Sequence, residues 1–147
     1  MKQSRQLCTF YLQQLLFGVE VKNVQEVIRY QQMTGIPLAP AVIAGLINLR
    51  GQIVTAIDLR HQLNLPPRGS DQRPMNVVIR REDGPISLLV DEIGDVMEVD
   101  EELFEAAPDT LQSHGREFIR GVYKLKDQLL LLLDTNNAMS VAAGHSD

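Results

Sequence analysis

The sequence has very few of the residues that build catalytic or metal sites. Among 147 residues there is one cysteine, Cys8, there are three histidines, and there is no tryptophan. A single cysteine excludes an internal disulfide, which fits a reducing compartment. The histidines are far apart in sequence and form no ligand-type pair, so no metal site is predicted. No cofactor is expected, because the glycines form neither a GxGxxG fingerprint nor a phosphate-binding loop.

Long apolar runs and clustered cations are also missing. The longest apolar run, 129–133, is far below the roughly 20 residues that span a bilayer, and no signal peptide is visible. The net charge of −5, without a run of Lys or Arg, argues against a nucleic-acid surface. An OB-like barrel for single strands would need a cationic groove with stacking aromatics, which are scarce here. We therefore expect a cytoplasmic protein with no nucleic-acid partner and no direct membrane insertion.

No catalytic constellation is recognisable. There is no GxSxG sequence, and Cys8 has no nearby base in sequence that would activate it. Asp58 and Asp134 each follow an apolar strand, where an Asp usually caps the next backbone amides. The chain is predicted not to be an enzyme. A small-ligand-binding or hydrolytic β-barrel protein remains the less favoured alternative, and it would require a crevice lined by both carboxylates and a histidine.

What the sequence does contain is a strong hairpin pattern within residues 41–65. Two apolar runs, LINL and IVTAI, flank a short turn that includes Arg50 and Gly51. This arrangement is typical of a β-hairpin, and Gly51 supplies the positive φ that the turn needs. Arg50 is then predicted to stand at the tip.

The hairpin pattern recurs 76 positions later in the chain. The matching pairs are Gly45 with Gly121, Leu49 with Leu125, Arg50 with Lys126, Gly51 with Asp127, Gln52 with Gln128 and Asp58 with Asp134. Asp127 is predicted to form the second turn, because Asp also tolerates the left-handed region. A weaker echo, with a shift of 69, relates VxxVxxV from Val21 to VxxIxxV from Val90. The chain is therefore predicted to contain two versions of one β unit.

The remaining pattern favours an all-β barrel or sandwich. Further strands are predicted at 7–12, 15–21, 75–81, 86–90 and 91–99. A short helix is predicted at 24–30, a helical turn after Asp58, and at most one helical turn near 101–106. The breaker-rich stretch 65–70 is interpreted as a link. It divides the chain into a first β-barrel subdomain, 7–70, a second, 71–140, and a disordered tail, 141–147. Units this small are marginal alone, so we expect a shared core.

The stretch VIAGLINLRGQIVTAIDLR, from Val42 to Arg60, resembles the signature of the CheW chemotaxis coupling proteins. Further matching pieces are FGVEVKNVQEV from Phe17, VVI from Val77, LVDEIGDV from Leu89, and Gly121. The resemblance spans about 7–139. It implies two SH3-like five-stranded β-barrels that share an apolar interior, with one or two short helices, and it allows terminal strands to be exchanged between the barrels.

The resemblance also implies a function. Members of this family are non-catalytic adaptors in chemotaxis signal transduction, recruited to membrane receptor arrays. They couple the cytoplasmic tip of methyl-accepting chemoreceptors to the regulatory domain of a CheA-type histidine kinase. A CheW-like scaffold of a non-chemotactic cluster, such as one controlling pili, is the alternative. By motif match, the receptor-binding groove would include Val24, Glu26, Gly45, Arg50, Ile53, Val77 and Val96.

Competing structural interpretations stand beside these assignments. Val24, Ile53, Val77 and Val96 fit packing in the core or along the groove, and Gly45 fits a close backbone approach. Arg50 is different, because a cation at a hairpin tip is well shaped to bind a carboxylate or carbonyl partner. Function is therefore favoured at Arg50.

Overall fold

The structure, a computed structural model, describes residues 3–106 and 118–135. The predicted tail, 141–147, lies outside the described residues. The strands are β1 (Ser4–Leu12), β2 (Leu15–Glu20), β3 (Val24–Ile28), β4 (Ile43–Leu49), β5 (Gln52–Asp58), β6 (Met75–Ile79), β7 (Ile86–Val90), β8 (Glu92–Asp100), β9 (Phe104–Ala106), β10 (Ile119–Lys124) and β11 (Leu129–Leu133). Within the described ranges, the named helical elements are one turn, α1 (Leu59–Gln62), and two 3-10 turns, Val21–Asn23 and Glu101–Leu103. No helix in the described ranges is long and apolar enough to cross a membrane.

The strands form two sheets. Sheet A has the order β8-β1-β2-β11-β10-β9, and sheet B has the order β3-β6-β7-β5-β4. Neighbours are antiparallel except for the parallel pairs β2–β11 and β5–β7. The all-β prediction with short helices is confirmed. Sheet B has the five strands expected, whereas sheet A gains a sixth, because the three-residue β9 pairs along the outer edge of β10.

The two sheets do not follow the predicted boundary at residue 70. Strands β6 and β7 come from the second half of the chain but pair with β3 and β5 in sheet B. Strands β1 and β2 come from the first half but pair with β8 and β11 in sheet A. Each sheet therefore combines the first hairpin of one repeat with the edge strand and second hairpin of the other, because hydrogen-bond pairing, not chain order, decides sheet membership.

The internal repeat is visible in the strand registers. A β-bulge interrupts the β4–β5 hairpin between Ile43 and Gly45, and another interrupts β10–β11 between Ile119 and Gly121, 76 positions later. Because the same irregularity recurs at the same repeat position, the two hairpins are structural equivalents.

The weaker echo, with a shift of 69, is visible as well. Val27 lies opposite Val77 across β3 and β6, and Val96 lies opposite Cys8 across β8 and β1. Val27 and Val96 are 69 positions apart, and so are Cys8 and Val77. The edge strand of each repeat thus pairs with the first hairpin of the other repeat in one common register.

Both sheets contribute to a shared apolar interior, as predicted. The shared cluster of buried side chains includes Phe10 and Phe17 from sheet A and Ile57 and Leu88 from sheet B. Each sheet also has a smaller buried cluster of its own. The two phenylalanine rings stack with centroids 5.9 Å apart. Burial of each such side chain contributes about 1.5–3 kcal/mol to the free energy of unfolding. Apolar burial in the shared interior is therefore the main contribution that holds the two sheets together.

The predicted helix at 24–30 is wrong, because Val24–Ile28 is strand β3. Its apolar residues fit helical spacing, but β-branched side chains favour strands, and β6 offers an edge for pairing. The helical turn after Asp58 is confirmed: the Asp58 carboxylate accepts a hydrogen bond from the His61 N–H at 3.5 Å and caps α1. Near 101–106 the chain forms one 3-10 turn before β9.

Candidate docking site

The β4–β5 hairpin reverses through Arg50 and Gly51. Arg50 has φ 53° and Gly51 has φ 89°, the left-handed conformation that a two-residue hairpin turn requires. The Asn48 side-chain oxygen accepts a hydrogen bond from the Gly51 N–H at 2.8 Å, which fixes the turn. The equivalent turn in the second hairpin is built differently, since Asp127 is not among the described residues with positive φ. Arg50 is therefore held in a defined position at the tip of sheet B.

Arg50 forms an ion pair with Glu26 on β3. Its guanidinium donates to the Glu26 carboxylate, while the Arg50 side chain remains 67% exposed. Strands β3 and β4 are the two outer strands of sheet B, so this contact joins the ends of the sheet. The hydrogen bond from Arg50 holds the pKa of Glu26 below its ordinary value. The tip thus presents a cation whose orientation is fixed by a carboxylate that stays ionised at neutral pH.

The other predicted groove residues differ in their access to a partner. Ile53, beside the tip, and Val96, on the edge strand of sheet A, are both largely exposed. Val24 is half-buried, whereas Val77 is completely buried in the shared interior. No described contact joins Val96 to the ion pair. The structure therefore brings Glu26 and Arg50 together, leaves Ile53 and Val96 open, and places Val77 in the core.

Gly45 has a steric role. A Cβ on Gly45 would lie 2.8 Å from the carbonyl oxygen of Thr34, closer than real Cβ contacts. Thr34 exchanges two main-chain hydrogen bonds of 2.8 Å with Leu46, which fastens the preceding loop to β4. The close-approach interpretation accounts for this glycine without contact to a partner.

An apolar loop was missed by the sequence reasoning. Residues 30–49 contain no charged side chain, although 22% of the chain is charged. The part before β4, residues 31–42 and here named the uncharged loop, exposes Ile36 and completely exposes Leu38. Leu38 has φ 65°, a conformation that leucine rarely adopts. The missing charge was the sequence signal that could have identified this surface.

A buried charge cluster was missed as well. Asp91 lies between β7 and β8 and accepts hydrogen bonds from the guanidinium groups of Arg60 and Arg68. Burial raises the pKa of Asp91, but hydrogen bonds from Arg60 and the Gln13 amide and the charge of Arg68 together hold it below its usual value. Arg60 ends the sequence DLR and Asp91 ends the sequence LVD, while Arg68 lies in the breaker-rich stretch 65–70. Nothing in the spacing of these three residues indicated that their side chains meet.

The two repeated carboxylates lie in different places. Asp58 caps α1 and contacts Arg68 at 3.5 Å. Asp134 lines a polar cleft of about 680 Å³ together with Lys22, Arg80 and other charged residues. Among the described residues, neither Asp58 nor a histidine lines this cleft. The described residues therefore do not form the crevice, lined by both carboxylates and a histidine, that a hydrolytic site would require.

Comparison with known proteins finds relatives whose sequences match most of the chain. The model of the CheW-like domain family matches residues 6–143. The chain is 30% identical over 139 residues to the chemotaxis protein CheW of Treponema pallidum, covering 92% of this chain and 82% of that protein. It is 29% identical over 145 residues to the chemotaxis protein CheW of Bacillus subtilis, covering 99% and 93%.

Among solved structures, the chain is similar to the scaffolding protein TtCheW from Thermoanaerobacter tengcongensis. The TM-score is 0.86 at 26% identity, and the match covers 98% of each chain. The agreement therefore includes both sheets and their connections rather than one hairpin motif. Together with the family match over most of the sequence, it shows that the chain belongs to the family of CheW-like domains.

Proposed function

We propose that the chain is a non-catalytic chemotaxis adaptor that couples membrane chemoreceptors to the regulatory domain of a CheA-type histidine kinase. The observation that carries the proposal is the Arg50–Glu26 pair at an exposed hairpin tip in a chain of this family. The names of its relatives, chemotaxis and scaffolding proteins, support the process. We propose that the protein is cytoplasmic and is recruited to membrane receptor arrays by binding the cytoplasmic tips of the receptors.

The tip has the chemistry of a docking site. A guanidinium carries five N–H donors, and the contact with Glu26 leaves donors of Arg50 facing solvent. Because Glu26 already orients the side chain, less conformational entropy is lost when a partner binds. The exposed Ile53 adds an aliphatic contact next to the cation. This surface fits a receptor segment that offers a carboxylate or carbonyl beside an apolar side chain.

An adaptor needs a second surface, and we assign the kinase contact to the uncharged loop. Leu38 is completely exposed there, and Ile36 adds apolar surface. The loop is held at its base by the Thr34–Leu46 hydrogen bonds and at its end by the Ile43 N–H, which donates to the Pro40 carbonyl at 2.9 Å. An uncharged, fixed loop fits an apolar depression on a partner domain, since little polar surface must be dehydrated.

A CheW-like scaffold of a non-chemotactic cluster, such as one controlling pili, would use the same two surfaces. The two versions differ in the identity of the receptor and kinase that bind. Affinity capture from the native cell separates them, because a chemotaxis adaptor retains chemoreceptors and their kinase.

The receptor role of the tip is tested by Arg50→Ala in a pull-down with receptor cytoplasmic fragments. Hydrogen bonds to charged groups contribute roughly 1.5–3 kcal/mol, so affinity is expected to fall about tenfold or more. The free energy of unfolding should change by less than about 0.5 kcal/mol, since the side chain is exposed. Arg80→Ala, an exposed arginine without an ion pair among the described residues, is the control. Equal receptor affinity for Arg50→Ala and wild type would remove the tip from the proposal.

A further inference from the structure

Within the described residues the chain passes between the two sheets at two places. It leaves sheet A after β2 and enters sheet B through the 3-10 turn Val21–Asn23. It returns to sheet A at Asp91, the single residue between β7 and β8. Lys22 precedes Asp91 by 69 positions, so the two crossings occupy equivalent places in the repeat. Any change in the angle between the sheets must bend the chain at these crossings.

Asp91 is fixed from both sheets. One carboxylate oxygen accepts from Arg68 Nε at 2.8 Å and Arg60 Nε at 3.1 Å, both held by sheet B and its connection. The other accepts from Arg60 Nη2 at 2.5 Å and from the Gln13 N–H at 2.6 Å. Gln13 is in the β1–β2 turn of sheet A, and the Asp91 N–H donates to the Tyr11 carbonyl at 3.0 Å. The crossing is therefore bound to the sheet it leaves and to the sheet it enters.

The two guanidinium groups are themselves held in place. Arg60 donates to the Pro66 carbonyl at 2.9 Å, and Arg68 donates to the Leu89 carbonyl at 3.0 Å. The side chains of Arg60, Arg68 and Asp91 are only 8%, 10% and 13% exposed. Charged groups removed from water in this way are costly unless their partners keep a strict geometry. The cluster therefore resists rearrangement.

The other crossing has a looser and more solvated set of charges. The Lys22 side chain is 77% exposed and approaches Glu20 at 3.5 Å. Glu20 also lies 3.8 Å from Arg5 and 3.6 Å from Arg120, distances longer than those in the Asp91 cluster. Lys22 borders the polar cleft of about 680 Å³ that also contains Arg80. An exposed pair of this kind contributes little to stability and allows movement. One crossing is pinned by buried charges, and its repeat counterpart is solvated.

We propose that Asp91, Arg60 and Arg68 form a clamp that sets the angle between the two sheets and thereby positions the docking groove. The proposed groove would draw Glu26 and Arg50 from sheet B and Val96 from sheet A, so its width would depend on that angle. None of the clamp residues belongs to the groove. The second half of this inference, the effect on docking, rests on the proposed receptor-binding function.

The clamp is tested by measuring the distance between spin labels on the two sheets by electron paramagnetic resonance. The full chain with Cys8→Ala carries labels at Glu82→Cys, in the β6–β7 turn of sheet B, and Gln128→Cys, in the β10–β11 turn of sheet A. We expect a single narrow distance distribution without further substitution. Asp91→Asn and Arg68→Met should each broaden or shift it, and the second keeps the test valid if the first does not fold.

Two controls separate positioning from general stability. Lys22→Gln removes the charge at the equivalent solvated crossing and should leave the distribution unchanged. Ser87→Ala removes a buried hydrogen bond of 2.7 Å to Asn76 within sheet B and should lower stability without changing the distribution. An unchanged distribution in both clamp variants, or equal broadening in Ser87→Ala, overturns the clamp.

Receptor binding completes the test. Clamp variants that remain folded should lose about tenfold in affinity for receptor fragments. Wild-type affinity together with a broadened distribution overturns the positioning of the groove. If Arg50→Ala also binds normally, the proposed receptor function fails, whereas the clamp stands on the label distances alone.

Discussion

Two glycines 76 residues apart meet the same steric requirement. A Cβ on Gly45 would touch the Thr34 carbonyl oxygen at 2.8 Å, and a Cβ on Gly121 would touch the Glu105 carbonyl oxygen at 2.5 Å. In both repeats a preceding segment pairs with the first strand of the second hairpin at this point. The glycine is thus required by the backbone that crosses it.

Gly45→Ala is expected to lower the free energy of unfolding by about 1–3 kcal/mol, the usual cost of overpacking. The new methyl group must push the Thr34 carbonyl away and weaken its pairing with Leu46. Chemical denaturation measures the change. Gly35→Ala is the matched control, because a Cβ there would meet nothing within 4 Å. Equal stability of the two variants would contradict the steric account.

Asp91 makes stability dependent on pH. Its pKa is held below the ordinary value in the folded chain, so the unfolded chain binds a proton more readily as pH falls. The resulting stabilisation is complete above the unfolded pKa, about 3.9. It is lost as pH decreases through the lower pKa of the folded state. In Asp91→Asn this contribution is absent at all pH values.

The measurement is the free energy of unfolding of wild type and Asp91→Asn between pH 7 and the acid limit of folding. The difference between them should be constant near neutrality and should shrink below about pH 4. A difference that grows as pH falls would show that the pKa of Asp91 is raised instead. Glu105→Gln, which removes an exposed ion pair with Lys124, serves as the control.

At the scale of elements, sequence patterns predicted hairpins well and the edge strand β3 poorly. The β4–β5 turn was predictable because a glycine in a two-residue turn constrains the backbone locally. Strand β3 was not, because its apolar spacing fits a helix equally well and its conformation depends on β6, some 50 residues away. Arg50 was predicted at the tip for the same local reason, whereas its partner Glu26 required tertiary contact.

The uncharged loop carries its own prediction. Leu38→Asn removes an exposed apolar side chain and places a residue that tolerates positive φ at φ 65°. The free energy of unfolding should stay equal or rise by at most about 1 kcal/mol. Affinity for the kinase regulatory domain should fall, as measured by titration calorimetry. Leu129→Asn, at an exposed leucine on β11, is the control, and unchanged affinity for Leu38→Asn would move the kinase contact elsewhere.

The whole molecule is organised by the exchange of hairpins between repeats. The sequence predicted the repeat, but repeated strands alone do not determine which copy pairs with which. A local fit favours the observed choice. The Thr9 hydroxyl on β1 donates to the Asp95 carbonyl at 2.5 Å, and it fits against Gly94, where a Cβ would lie 2.5 Å from it. If β1 paired with β3 of its own repeat instead of β8, Gln25 would take the place of Gly94. Its Cβ would then occupy the space that the Thr9 hydroxyl needs.

Because each sheet contains strands of both repeats, we expect one cooperative unfolding transition. Fluorescent labels at Glu82→Cys in sheet B and Gln128→Cys in sheet A, each examined separately in the Cys8→Ala background, should report the same urea midpoint. Two separated midpoints would show that the sheets unfold independently. Circular dichroism of the unlabelled chain provides the reference curve.

The order of synthesis gives the exchange a further consequence. Among the described strands, β1 and β2 are made before the others, yet the strands that flank them in sheet A, β8 and β11, are made after all five strands of sheet B. Sheet B, built from β3 to β7, can form while both edges of the β1–β2 hairpin still lack their partner strands. The newborn chain therefore exposes the unpaired edges of the β1–β2 hairpin until β8 and β11 have been synthesised. During this period the hairpin is prone to aggregate and is a substrate for chaperones.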